Sequence, residues 1–295
     1  MENKETIESC DELDHRQFMI AAKKLANSFT FGADSSPWVS SGIEYVQSRL
    51  YQQGDSIKTV DWKLTARTGK LYVKECEAPK QIPVQIILDT SNSMTISSTS
   101  KSKYAVAVQI ATALALASLE HVRPVGLIGC GSEEVRISPS LSKEEVQLWS
   151  HKMRHFQYGE RTRLTSVLNQ LKTNPSDTSM VIVISDLHDE NSITALKHLS
   201  TRHELVVIET LDPAEKGKMG GGIYRINEAE TGRSLTGHGF SKWFKKGGVD
   251  YLEERKHELT KAGIDQIEVI TDQPFSAKLR MFFNFRAIGT GRGSQ

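Results

Sequence analysis

The chain has 295 residues with 37 Lys and Arg against 36 Asp and Glu, a formal net charge of +1, so bulk charge draws neither nucleic acid nor an anionic membrane as the main partner. At 38% hydrophobic and 25% charged residues it has the composition of an ordinary folded protein, long enough for one large domain with elaborations. Cys10, Cys76 and Cys130 form no C-x-x-C pair and are odd in number, which argues against a disulfide framework or a zinc ribbon and fits a reducing compartment.

The opening MENKETIESCDELDHRQF is acidic and polar, where a signal peptide needs a basic start and an apolar run. The spacing of Leu13, Phe18, Ile20, Ala21, Leu25 and Phe29 predicts an amphipathic helix over about 12–28. A Gly/Ser/Pro-containing loop follows, then a stretch rich in Asp, Lys, Arg, Trp and Tyr, ending in LYVKECE, which alternates as a half-buried strand does.

From Val84 the rhythm changes. VQIILD is a short apolar run that ends abruptly in an acid, as a buried parallel strand does where it opens onto a loop. A helix over about 101–120 is apolar on most faces, so it belongs between layers. It also holds the longest apolar-rich stretch, Tyr104 to Leu119, which carries Gln109, Thr112 and Ser118 and falls short of the ~20 residues of a membrane span. The expectation is a cytoplasmic chain with no span of its own.

RPVGLIGC reads as a strand, and GSEEVRISPS as a turn into an antiparallel edge strand. Helices over about 142–153 and 163–172, the strand MVIVISD, a helix near 191–200 and the strand HELVVIET come next. The Gly-rich text within 212–240 reads as a hairpin insertion; a helix over about 249–262, the strand IDQIEVIT and a helix after Pro274 close the fold. This alternation predicts an α/β fold with a doubly wound, mostly parallel sheet, whose ligands sit beyond the carboxyl ends of the strands.

Three features fall at those ends. Asp89, Ser91 and Ser93 directly follow VQIIL, Thr162 opens a helix, and Asp186 ends MVIVISD. Taken singly, each is an ordinary cap or turn residue. In this order on one sheet they become adjacent loops whose hard oxygen donors suit a small divalent cation such as Mg²⁺. His188 and Asp189 beside them read as solvated loop residues, and His151 and His155 as surface residues, since H-K-M-R-H lacks the Glu of a zinc protease.

The order resembles the metal-ion-dependent adhesion site of von Willebrand factor A domains. Carried over, Asp89, Ser91 and Ser93 match the first loop, Thr162 the second and Asp186 the third. The resemblance implies Mg²⁺ or Mn²⁺ with an open position that a partner's Asp or Glu fills. Ser41-Gly42-Ile43-Glu44, Arg49, Tyr51, Gly54-Asp55, Val60-Asp61-Trp62, Ala66-Arg67 and Leu71-Tyr72-Val73-Lys74 narrow it further. They look like the signature of a bacterial von Willebrand factor A-like family of unknown function (domain-of-unknown-function family 58), encoded beside MoxR-type AAA+ ATPases. Many relatives carry Gly-Gly-Thr in the second loop, where this chain has Glu160-Arg161-Thr162, and many carry N-terminal membrane spans.

The implied organisation is a helix and signature region over 1–80, a von Willebrand factor A-like domain over 81–288 with its insertion at 212–240, and a disordered tail over 289–295. Arg49, Asp55, Asp61 and Arg67 fit either a buried charge network under the metal loop or a partner surface, and Trp62 reads as packing. Lys58, Lys63, Arg67, Lys70 and Lys74 read as a solvated face. The function expected is a non-enzymatic, Mg²⁺-dependent interaction module working with a MoxR-type ATPase in protein assembly or maturation. The alternative is a haloacid-dehalogenase-like phosphohydrolase with Asp89 as nucleophile. That chemistry needs an acid two residues on, and Ser91 stands there, a hydroxyl that cannot shuttle protons near neutrality.

Overall fold

The computed structural model describes residues 15–28, 44–77, 82–95, 97–131, 134–155, 163–173, 179–216, 223–227, 234–238 and 242–289. The chain divides into two compact units, one of residues 1–31 and 82–284, the other of residues 32–81 and 285–295. In chain order the elements are α1 (His15–Ala26), β1 (Glu44–Leu50), α2 (Trp62–Thr68), β2 (Tyr72–Glu77), β3 (Val84–Leu88), α3 (Lys103–Glu120), β4 (Val125–Cys130), β5 (Glu134–Ser140) and α4 (Lys143–Arg154). Then come α5 (Leu164–Thr173), β6 (Met180–Ser185), α6 (Glu190–Leu199), β7 (Glu204–Leu211), β8 (Ile223–Asn227), β9 (Ser234–His238), α7 (Lys242–Lys261), β10 (Asp265–Ile270) and α8 (Ser276–Gly289).

The larger unit is built on a six-stranded sheet in the order β10-β7-β6-β3-β4-β5. All its pairings are parallel except β4 with β5, which forms the expected antiparallel edge. This is the doubly wound, mostly parallel α/β architecture that the sequence implies. Strand side chains alternate between two cores, as the period of two requires. Val84, Ile86 and Leu88 of β3, with Ile182 and Ile184 of β6, join one core, which also takes in residues of α1, α3 and α8. Ile87, Val181 and Val183 join the other, with residues of α5, α6 and α7. Burial on both faces explains the uninterrupted apolar runs.

Helix α3 is apolar nearly all round because it lies between layers: Ile110 and Leu114 are fully buried, and α1 packs across α3 with Phe18, Leu25 and Ala26 in the same core. The Arg154 guanidinium sits 4.6 Å above the Phe18 ring, a cation–π contact that fixes the helix start from outside. Among the described residues no helix is long and apolar enough to cross a membrane.

One close approach decides the edge of the sheet. The β4–β5 register shifts between Val125 and Leu127, and a Cβ at the intervening Gly126 would lie 2.7 Å from the Ile137 carbonyl oxygen and 3.0 Å from the Pro139 nitrogen. Both are backbone atoms that cannot swing aside. Gly126→Ala is therefore expected to lower unfolding free energy in urea by about 1–3 kcal/mol, the range for overpacking; an unchanged midpoint would show that β5 is free to shift.

The smaller unit pairs β1 antiparallel with β2. Helix α2 between them is capped by Asp61, which accepts from Leu64 N at 3.0 Å, and ends at Gly69 with φ 69°, the left-handed stop that glycine adopts without strain. Neither β1 nor α2 is legible as a periodic pattern. Helix α7 begins at Lys242 and runs through Gly247-Gly248, where the sequence places its start near 249. Glycine costs a helix about 1 kcal/mol per residue, which this 20-residue element absorbs. The insertion folds as an antiparallel pair, β8 with β9. The tail from residue 290 lies outside the described residues.

Candidate metal centre at the carboxyl edge of the sheet

Strands β3 and β6 are neighbours in register, Leu88 opposite Ile184, so the residues that follow them emerge side by side. Asp89 still donates its backbone N–H to the Ile184 carbonyl at 2.9 Å, which carries the sheet pairing one residue past β3. Its carboxylate is 2% exposed. Oδ2 accepts from the Ser185 hydroxyl at 2.6 Å and Oδ1 from the Ser91 N–H at 3.1 Å. Ser91 Oγ and Ser93 Oγ lie 3.0 Å apart, within hydrogen-bond distance of each other. Gly131, beyond β4, makes room for this loop: a Cβ there would stand 2.4 Å from Thr90 Oγ1.

Asp186 is 1% exposed and stands one residue beyond β6, as expected. Thr162 lies outside the described residues. The nearest described residue, Arg163, donates its N–H to the Cys130 carbonyl at the end of β4, 3.0 Å away. Cys130 itself is buried, with its thiol on the Leu88 carbonyl at 3.3 Å.

The electrostatics are those of two carboxylates hidden together. Burial, then the neighbouring charge of Asp186, pushes the Asp89 carboxyl up to about 6, because desolvation and a like charge both disfavour the ionised form. The donor set tests well against a small divalent ion. Asp89, Ser91 and Ser93 offer one carboxylate and two hydroxyls at one loop, all hard oxygens with lone pairs beyond those already engaged. Asp186 has its Oδ2 on the Lys103 ammonium at 2.8 Å, so any ion it helped to hold would be reached more naturally through water, as Mg²⁺ often allows.

Lys103, Glu215 and His188 are the residues sequence reasoning misses. The Lys103 ammonium also donates to Glu215 Oε1 at 2.6 Å. Burial works to lower the Lys103 pKa, but Asp186 and Glu215 outweigh it and hold it above its ordinary value. Glu215 is set by its own turn, with Oε2 accepting the Asp212 N–H at 2.9 Å and its N–H on the Asp212 carbonyl at 3.0 Å. Burial raises it, but the bond from His188 and the Lys103 charge bring it down to about 2. His188, expected as a solvated loop residue, has Nε2 3.2 Å from Glu215 Oε1 and 3.5 Å from Asp186 Oδ2. Asp189 caps α6 through the Asn191 N–H and accepts from Thr165 Oγ1 at 2.5 Å.

The signature residues exclude one alternative and correct one expectation. Arg49 grips Asp55 with two bonds of 2.7 and 2.8 Å, yet the side chains are 37% and 18% exposed and Arg67 is exposed, so this is not a buried network. The bond from Arg49, with one from the Gln52 backbone, holds Asp55 down to about 2. Trp62 is 64% exposed at the start of α2, not packed: the helix turns Leu64 and Thr65 inward, leaving Trp62, Lys63, Ala66 and Arg67 exposed.

Residues 47–241 match the family described as "Protein of unknown function DUF58". Uncharacterized proteins of Mycobacterium bovis and Mycobacterium tuberculosis are 28% identical over 196 residues, 65% of this chain and 62% of theirs, so the chain spans less than two thirds of the length of these relatives. Among solved structures, the SpRpn10 VWA domain is similar, with a TM-score of 0.40 and 9% identity over 73% of this chain and 99% of that one.

Proposed function

The chain belongs to the DUF58 family of proteins of unknown function, and we propose that it is a non-enzymatic interaction module that docks a partner through a divalent ion, Mg²⁺ or Mn²⁺. In this reading Asp89, Ser91 and Ser93 hold the ion, Thr162 joins them from the second loop, and Asp186 supports it through water. The ion's remaining position takes an Asp or Glu of the partner, a MoxR-type AAA+ ATPase or a protein that such an ATPase assembles or matures.

The observation that carries the reading is the convergence of one buried carboxylate and a hydroxyl pair 3.0 Å apart beside a second buried carboxylate. Such a cluster lowers its own charge repulsion by binding a hard cation. The phosphohydrolase reading finds no support, because the position two residues past Asp89 is Ser91, whose hydroxyl pairs with Ser93 and whose chemistry cannot supply a proton at neutral pH.

Titration calorimetry tests the ion. Wild type is expected to bind Mn²⁺ and Asp89→Ala to show no heat of binding while keeping its circular dichroism spectrum. Equal binding by both proteins sinks the assignment. For the partner, tagged wild type is expected to retain a MoxR-type ATPase in Mg²⁺ and release it in EDTA, and Asp89→Ala to retain none. Retention that ignores both EDTA and the substitution removes the ion from the docking.

A further inference from the structure

Lys103 opens α3, yet its side chain is only 2% exposed. A lysine at a helix start ordinarily keeps its ammonium in water. Here Nζ lies 2.8 Å from Asp186 Oδ2 and 2.6 Å from Glu215 Oε1, and His188 Nε2 stands 3.5 and 3.2 Å from the same two oxygens. The ligand atoms of Asp186, His188 and Glu215 come within 4.8 Å of one another, a spacing that taken alone suggests a second metal position. The ammonium already bonds both carboxylates, so this cluster carries its own cation.

We infer that Lys103 is a positioning residue that competes with the divalent ion for Asp186 and thereby keeps the ion affinity of the unpartnered protein low. The inference rests on the metal reading above and names the group that regulates that site. An ion held at Asp89, Ser91 and Ser93 and an ammonium on Asp186 are two cations at one buried sheet edge, where their repulsion is far larger than in water. Asp186 can offset one of them fully, not both. Glu215 makes the exchange feasible: bonded to the same ammonium, it keeps Lys103 paired when Asp186 turns toward the ion, so no buried charge is stranded. A partner's carboxylate adds negative charge and tips the balance toward the ion, so ion and partner bind with positive coupling, each raising the affinity for the other.

The test measures Mn²⁺ binding by the full chain, from the paramagnetic resonance signal of free Mn²⁺ and by calorimetry. It compares wild type, Lys103→Met, and Lys103→Met with Glu215→Gln, each with and without Asp89→Ala. The double variant guards against misfolding, since it neutralises a carboxylate whose ammonium partner Lys103→Met removes, and circular dichroism monitors the fold. Both lysine variants are expected to bind Mn²⁺ about tenfold or more tightly than wild type, and Asp89→Ala to abolish binding in every background. If folded lysine variants bind Mn²⁺ equally or more weakly than a wild type that binds it, the competitor is overturned and the ion site stands. If no protein binds Mn²⁺, both readings fall. Tightened binding that survives Asp89→Ala puts the ion on Asp186, His188 and Glu215 in place of the ammonium, and overturns the inference as well.

Discussion

Arg255→Met is expected to cost about 3–5 kcal/mol of unfolding free energy, the range for removing one partner of a buried ion pair. Arg255 on α7 is 3% exposed and pairs with Glu209 of β7, itself 2% exposed. With Arg255 gone, Glu209 is left as a buried charge that has lost its cationic partner. The arginine does a second thing: Nη1 donates to the Leu187 carbonyl at 2.8 Å. Leu187 is fully buried and sits at φ 53°, a left-handed backbone that costs a branched residue roughly 1–2 kcal/mol. It follows Asp186 directly, so the arginine holds the turn that aims the third loop. Urea denaturation checks the magnitude, and Glu209→Leu with Arg255→Met separates the causes. The double variant is expected to recover most of the loss, because an apolar pair of similar volume replaces an ion pair at little cost. A loss below about 1 kcal/mol in the single variant would show that Glu209 is not stranded by it.

The second large effect is a dependence of stability on pH that runs opposite to ordinary acid denaturation. The Asp89 carboxyl is up at about 6 in the fold against an ordinary 3.8. The native state therefore binds this proton more tightly than the unfolded chain does, and the fold gains stability as pH falls from above 6 toward 4. Glu215 acts the other way, since it is brought down to about 2 from 4.5: its contribution is present above 4.5 and is lost only as pH falls toward 2. His188, raised by its carboxylate neighbours, contributes below 6.5 and loses that contribution as pH rises through its folded value, so it adds to the same trend at the neutral end.

In EDTA, wild type is thus expected to be more stable at pH 5 than at pH 7. Asp89→Asn is expected to flatten that rise and to exceed wild type at pH 7 by roughly 2–3 kcal/mol, the two-unit shift converted at 1.36 kcal/mol per unit. Saturating Mg²⁺ closes most of that gap at pH 7, because an ion bound only to the native state adds about 2.7 kcal/mol to wild type at one hundred times its dissociation constant. Denaturation curves at several pH values, with EDTA and with Mg²⁺, read all three statements. A wild-type curve that only weakens below pH 7 would remove Asp89 from the set of buried, strained carboxylates.

The parts of the site that were legible in the sequence share one trait: they end a run of buried strand. VQIIL before Asp89 and MVIVIS before Asp186 announce strands by uninterrupted apolar residues, and parallel pairing then brings their ends together. Lys103 has no such signal. It sits near Lys101 at a helix start, where a lysine almost always points to water, and nothing local distinguishes the buried one. Glu215 and His188 are 27 residues apart, and only the return of the chain through α6 and β7 joins them. Trp62 misled because large aromatics are usually packed; here α2 is short and capped, and its inward positions go to Leu64 and Thr65. Arg49 and Asp55 sit six residues apart, at a distance that fits a local clip, and the structure uses them as one. The Gly247-Gly248 pair likewise reads as a break, yet lies inside α7.

An anomalous difference map of a crystal soaked in Mn²⁺ would locate the ion itself. The expected peak lies within coordination distance, about 2.0–2.3 Å, of Asp89 and of the Ser91 and Ser93 hydroxyls, weak in wild type and strong in Lys103→Met. A peak centred on Asp186, His188 and Glu215 with none at Asp89, or no peak in either crystal, would contradict a metal centre held by the first loop.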